Sequence, residues 1–234
     1  MADSEVEAAM EAQLARFHTA IDAGAPRLGW KVAFNDPAAQ ARLGLAAPQI
    51  AWIDGRKAIV SGGAWRVADG ARLHVEAEVA IRIAHELTGS VTAAAASEAI
   101  AGVTPAIELV DYAKPSSPLS ALIENAFFHA GTVFGTEVPS LAFGADTALV
   151  AVSKNGELVA EPLSGRVPAD LGEIVMLAAA TLARYGEKLL AGDRIICGSY
   201  IAPFPVLPGD RVVAQYRDPL GEASVEFTGA GAAV

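Results

Sequence analysis

The sequence is poor in several residue types that would otherwise open functional classes. It has one cysteine, Cys197, four histidines, and 17 lysines and arginines against 27 carboxylates. A single cysteine excludes an intrachain disulfide and fits a reducing compartment. Scarce cysteine and histidine argue against zinc, which draws its ligands mainly from those side chains. The shortage of positive charge leaves a net charge of −10 at pH 7, with no basic cluster in the chain. Binding a phosphate backbone needs such clusters, so no nucleic-acid partner is expected. Long apolar runs are also missing. The stretch Ile174 to Ala183 is too short for a membrane span and stops at Arg184. The N-terminal run Met1-Ala2-Asp3-Ser4-Glu5 is acidic and lacks the basic-then-apolar layout of a secretory signal. These absences lead to the expectation of a cytoplasmic protein with no membrane partner. A Gly-x-Ser-x-Gly elbow and a phosphate loop are absent, and no dinucleotide fingerprint convinces.

What the chain does have is apolar bulk, at 53% hydrophobic residues with 19% charged, which suits a globular chain with a sizeable core. Residues 4–23 read as a helix, with Ser4 as cap, Glu7 as capping-box partner, and a stripe of Ala8, Leu14, Phe17 and Ile21. Gly24-Ala25-Pro26 stops it. Residues 29–34 alternate as a strand, and Pro37 to Leu43 reads as a short helix closed by Gly44. Further strands are expected at 57–60, 73–83, 106–111, 131–134, 148–154 and 211–216, with a hairpin turn at Asn155-Gly156. Helices are expected at Ala93 to Ala101 and from Asp170 to Leu190. The fold class is α+β. A small helical N-terminal part, residues 1–52, packs on a larger β-rich domain, residues 53–234.

Chemistry concentrates in Leu73 to Ile83. Val75, Val79, Ile81 and Ile83 share one parity, and Glu76, Glu78 and Arg82 the other. Side chains two apart on a strand project to the same face, so both carboxylates point together. Their repulsion needs a compensating positive charge, and a divalent cation supplies one. The same spacing also fits a solvated sheet face with Arg82 as partner. A third carboxylate, Glu108, is flanked by apolar residues in Ala106 to Val110, where an ionised glutamate is costly unless paired or metal-bound. Three carboxylates suit a hard, oxygen-preferring cation such as Mg²⁺ or Mn²⁺. Lys31 reads either as an exposed strand lysine or as a buried ammonium facing an anionic substrate. His18, His74, His85 and His129 are scattered, and each reads first as a surface or core residue, although His74 shares the parity of Glu76 and His129 stands near a candidate pocket. Cys197 reads as buried and Asp111 as structural. Ser199 is a candidate contact for a substrate carboxylate and equally a turn residue.

Ordered segments then add a resemblance. They are Gly29 to Phe34, Val75 to Ala80, Pro105 to Asp111, Glu124-Asn125-Ala126, Asn155-Gly156-Glu157, Ala191 to Ser199 and Pro208-Gly209-Asp210. Over residues 28–228 the chain resembles the fumarylacetoacetate hydrolase superfamily, in its 2-oxopent-4-enoate hydratase and 4-oxalocrotonate decarboxylase branch. The resemblance implies a mixed β-roll behind a helical N-terminal part, assembled as homo-oligomers. It implies one Mg²⁺ or Mn²⁺ held by Glu76, Glu78 and Glu108 and chelated by a 2-oxo acid, with Lys31 and Glu76 as catalytic residues. The implied reaction is hydration of a 2-hydroxy-2,4-dienoate to a 4-hydroxy-2-oxo acid. Decarboxylation, C–C hydrolysis and a catalytically silent role beside a decarboxylase partner are the alternatives. Hydrolases of the superfamily carry a His-Glu dyad on an N-terminal lid, whereas His18 is the only histidine here before His74. The chain also departs from the family pattern on the substrate side. Phe127 stands where a serine is common, Cys197 where Ser-Gly-Ser begins, Gln49 near an expected aspartate, and Tyr112 in place of the serine of Asp-Ser-Arg.

Overall fold

The computed structural model describes residues 2–142, 149–162 and 170–229. Along the chain run α1 (Ala2–Asp22), β1 (Arg27–Ala33), α2 (Pro37–Leu43), β2 (Gln49–Asp54), β3 (Ala58–Val60), β4 (Gly63–Arg66), β5 (Leu73–Ile83), α3 (Ala93–Glu98) and β6 (Ile100–Asp111). After them come α4 (Leu119–Glu124), β7 (His129–Phe134), β8 (Val138–Pro139), β9 (Val150–Lys154), β10 (Glu157–Ala160), α5 (Leu171–Ala183), β11 (Arg194–Ile196), β12 (Phe204–Pro205), β13 (Arg211–Tyr216) and β14 (Glu222–Thr228). This is the expected α+β class.

The strands form two sheets. The larger runs β2-β1-β11-β5-β6-β7-β3, with β12 added to β5 and β8 to β6, and the smaller runs β10-β9-β13-β14-β4. Val75, Ala77, Val79, Ile81, Val103 and Ile107 of the large sheet share one core with Val212, Ala214, Val225 and Phe227 of the small one. The long central strands β5 and β6 are therefore covered on both sides, and β5 is buried almost throughout. The segment read as a helical N-terminal part contributes two strands, β1 and β2, to the same sheet that carries Glu76.

Several elements end where local chemistry requires. Asp36 caps α2 through Ala38 N at 3.1 Å, Pro37 follows it, and Gly44 closes the helix in the left-handed region. The Asn155-Gly156 turn has both residues at positive φ, 56° and 86°, as a type I′ hairpin demands.

Four expectations need correction. The first helix begins at Ala2, so Ser4 lies inside it, and Ala9 and Met10 are buried where Ala8 is exposed. The Ala93 helix stops at Glu98, because Ile100 already pairs with Ile83 as a strand. β6 runs straight through Pro105, whose missing N–H falls where the partner strand changes from β8 to β7. The helix after Asp170 ends at Ala183 and not Leu190, since Gly186 turns the chain at φ 74° and Leu189 then bridges to Leu87. The first residue of the expected 148–154 strand lies outside the described residues; pairing begins at Val150.

Candidate active site

Register brings the carboxylates together. β5 and β6 are antiparallel with Glu76 directly opposite Glu108, and Glu78 two residues along on the same face. Like charges directly across a strand pair destabilise it. Carboxylate oxygens of Glu76, Glu78 and Glu108 lie within 4.8 Å of one another. Glu78 and Glu108 are each 1% exposed, so the solvated-face reading is excluded. Arg82, its supposed partner, pairs instead with Glu137 at 2.9 Å.

Lys31 completes the group. It is buried, and its ammonium donates to Glu108 Oε1. β1 and β6 are three places apart in the strand order. That is about 14 Å at the usual strand spacing, so the contact requires the sheet to curl around the site. β11 helps by ending at Ile196, after which the chain turns in and Gly198 N donates to Glu78 Oε2 at 2.6 Å. Gly198 has φ 104°, and a Cβ there would stand 2.2 Å from Asn35 Nδ2. Only glycine meets both demands. From the small sheet, the Tyr216 hydroxyl donates to the Glu78 carbonyl and fixes β5 from behind.

The group is electrostatically unbalanced. Burial opposes the charge of Lys31, but Glu108, Glu76 and Glu78 outweigh it and raise the pKa of the ammonium. Burial likewise opposes charge on Glu108, yet Lys31 and His129 lower it below the usual glutamate value. Glu78 goes the other way, pushed well above that value by burial and by Glu108 and Glu76. Three acidic oxygen donors on two rigid strands fit a divalent cation, which would remove the imbalance that raises Glu78.

His129 is the residue that sequence reasoning placed least well. Its Nδ1 lies 2.8 Å from Glu108 Oε1, and the side chain is buried. Because Glu108 is the charged acceptor, Nδ1 carries the proton. Burial lowers the pKa of the imidazole. The available signal was faint: β6 and β7 pair antiparallel across the intervening α4, which sets Glu108 opposite Thr132, with His129 beyond a register shift.

The carboxylates form the floor of a cleft of about 290 Å³. Phe34, Tyr112, Phe127 and Phe128 wall it, and Asn35, Arg42, Gly198 and Ser199 also line it. Phe34 and Phe127 meet edge to face at 5.4 Å, as do Tyr112 and Phe128 at 4.9 Å. Ala126, Phe127 and Phe128 all have positive φ. Such strain, of order 1–3 kcal/mol per residue, persists where surrounding structure fixes it, and it is common at ligand clamps. Burial and the Glu76 and Glu108 carboxylates push the Tyr112 phenol up to about 12, so it keeps its proton. Ser199 lines the cleft, while its hydroxyl donates to the Ile201 carbonyl at 3.0 Å. Gln49 starts β2 and bonds the Ala47 carbonyl at 2.9 Å, away from the cleft lining. Cys197 is buried and its thiol pKa is raised by burial. Asp111 holds a turn through Arg72 N and Ala113 N. Arg42, on α2, was not anticipated; among the described residues no carboxylate pairs with it.

Residues 30–228 match the family model for the fumarylacetoacetate (FAA) hydrolase C-terminal domain. The chain belongs to the fumarylacetoacetate hydrolase family. It is 27% identical over 219 residues to a 4-oxalocrotonate decarboxylase of a Pseudomonas species, covering 89% of this chain and 82% of that protein. It is 27% identical over 215 residues to the TodF product hydratase of Pseudomonas putida F1, covering 89% and 79%. Its fold is similar to that of a 4-oxalocrotonate decarboxylase from Pseudomonas putida G7 complexed with magnesium and adipate, at a TM-score of 0.86 and 24% identity over 95% of this chain and 86% of the other. Family members on this scaffold are enzymes, and the three glutamates here are suited to a divalent cation. No helix among the described residues is long and apolar enough to cross a membrane.

Proposed function

We propose that this protein is a Mg²⁺- or Mn²⁺-dependent hydro-lyase that adds water to a 2-hydroxy-2,4-dienoate and yields a 4-hydroxy-2-oxo acid. The observation that carries the proposal is the convergence of Glu76, Glu78 and Glu108 with Lys31 on the floor of one cleft. The hydratase relative supports the reaction type. A cation held by these three glutamates would polarise the 2-oxo group and stabilise enolate charge beside it. In the reaction the 2-hydroxyl loses its proton and C5 gains one, which leaves an electron-poor C3–C4 double bond. Water oxygen then bonds to C4, and C3 takes the second proton. Net addition is one water.

The chain's own residues fit these demands. Lys31 places a permanent ammonium against Glu108 and offsets negative charge developing on the acid. Tyr112 offers a phenol that stays protonated and can donate to a substrate oxygen. Phe34, Phe127 and Phe128 seat the diene and exclude bulk water. Ser199 lines the cleft, and its hydroxyl would meet the substrate carboxylate after leaving the Ile201 carbonyl.

A second reading, decarboxylation, has a specific observation behind it. Arg42 lines the cleft and lacks a carboxylate partner among the described residues. A substrate with a second, distal carboxylate would supply one, and three of the four curated relatives are decarboxylases. The test is product analysis with a dienol monocarboxylic acid and with an unsaturated 2-oxo dicarboxylic acid. A hydroxy acid from the first supports hydration, and carbon dioxide from the second supports decarboxylation. Arg42→Ala should raise KM for the dicarboxylic acid alone. Glu76→Gln with Glu108→Gln should cut turnover by more than about a hundredfold. Unchanged turnover and metal affinity in that double variant would sink the proposal.

A further inference from the structure

Behind the His129 ring lies a second cavity, separate from the carboxylate cleft. It holds about 140 Å³, and Arg16, Asp54, Lys57, Lys114, Glu124 and His129 line it. Its charges are unevenly matched. Arg16 is paired with Glu124 at 2.8 Å, and Asp54 with Arg56 at 2.8 Å. Lys57 and Lys114 remain, and among the described residues neither has a carboxylate within ion-pair distance. Lys114 reaches only the His129 carbonyl.

The ring edge supplies the second observation. Nδ1 of His129 donates to Glu108, so the opposite nitrogen, Nε2, turns away from the metal cleft. Nε2 is buried and has no hydrogen-bond partner, while the side chain is 3% exposed. A buried polar atom without a partner costs about 1–3 kcal/mol, so this one calls for an occupant. With the proton on Nδ1, the neutral ring offers at Nε2 a lone pair that accepts a hydrogen bond. The cavity is therefore lined by two lysines without a carboxylate partner among the described residues and by the histidine that carries this buried acceptor.

The geometry points to a binding site for a small oxyanion that also carries an O–H group, such as hydrogen phosphate or a short hydroxy acid. The anionic oxygens take Lys57 and Lys114, and the hydroxyl donates to His129 Nε2. A fully deprotonated oxyanion satisfies the lysines and leaves Nε2 unpaired. Burial and the nearby Lys57 ammonium bring Lys114 down to about 8, and a bound anion would raise it again. An occupant donating to Nε2 also holds the ring in the tautomer that donates to Glu108, which links this pocket to the metal site. The site does not depend on which reaction the cleft performs.

Calorimetric titration of inorganic phosphate into the Mg²⁺-loaded full chain, near neutral pH, tests this without turnover. We expect one saturable site. Lys57→Gln with Lys114→Gln should weaken it at least about tenfold, and Lys57→Arg with Lys114→Arg should restore it. Sulfate, which has no O–H at this pH, should bind at least about tenfold more weakly than phosphate, and acetate more weakly than lactate. Phosphate held at the metal would be unaffected by the lysine substitutions, so equal binding in the glutamine double variant overturns the site. Absence of saturable binding overturns it too, and sulfate binding as tightly as phosphate overturns the role of Nε2.

Discussion

At the residue scale, the charge balance turns on Glu78. Burial and the Glu108 and Glu76 carboxylates push its pKa well above 4.5. The folded, metal-free chain therefore keeps a proton that the unfolded chain releases near 4.5. Its contribution to stability falls as pH rises from 4.5 through the folded value. His129 has the opposite sign, because burial lowers its pKa from 6.5. The stability that depends on its neutral form is lost as pH falls from 6.5 through the folded value. The two signs are opposite, so a variant without Glu78 separates them. Chelator-treated protein should lose unfolding free energy as pH rises from 4.5 through the folded Glu78 value, and Glu78→Gln should lose less over the same range. Denaturant titrations at closely spaced pH values read this, and equal slopes in the two proteins would contradict the charge frustration. Added Mg²⁺ should flatten the wild-type profile as well, since the cation displaces the proton. Glu76, Glu78 and Glu108 were legible in the sequence because period two places a Glu-x-Glu pair on one face. The fates of Lys31 and His129 were not, because both are decided by strands far away in sequence that meet at Glu108.

At the element scale, the site depends on where β11 stops. Gly198 follows it with φ 104°, donates its N–H to Glu78, and leaves no room for a Cβ beside Asn35. Gly198→Ala should displace Asn35 and turn the N–H from Glu78. We expect a loss of about 1–3 kcal/mol in stability and of about 10–100-fold in Mg²⁺ affinity. Gly70→Ala is the control. Gly70 has φ 77° but nothing within 4 Å of a Cβ, so it carries backbone strain alone. Calorimetric Mg²⁺ affinities of the two variants decide the matter, and equal affinities would show that the β11 turn does not hold the site. The same scale shows what local sequence conveys. Pro37 and Gly44 bound α2 as expected, and Asn155-Gly156 makes its hairpin, because those residues carry their own backbone chemistry. β2, β11 and β14 were not foreseen as strands, since their apolar runs are short and acquire a period only from the neighbours that pair with them. The helix-to-strand change at Ala99 and the passage of β6 through Pro105 arose from pairing with β5, which overrode alanine's helix preference and proline's warning.

At the scale of the whole molecule, the site joins parts of the chain that share little else. Lys31 comes from β1, Glu76 and Glu78 from β5, Glu108 from β6 and His129 from β7, while Tyr216 of the small sheet braces Glu78. A cation bound to the three glutamates therefore binds the folded chain and has no comparable site on the unfolded one. Binding of that kind stabilises by about 2.7 kcal/mol when the free cation is a hundred times its Kd. In a domain of this size each kcal/mol moves Tm by roughly 2–4 °C, so saturating Mg²⁺ should raise Tm by about 5–11 °C over protein in chelator. The rise should depend on cation concentration and be lost in Glu76→Gln with Glu108→Gln. Glu108→Gln leaves the buried Lys31 ammonium without its acceptor, so that double variant should melt below wild type in chelator. Thermal melts across a Mg²⁺ series check both parts. A wild-type Tm insensitive to the cation would mean that these carboxylates do not gather it, and a double variant that melts with wild type in chelator would mean that Glu108 does not hold Lys31.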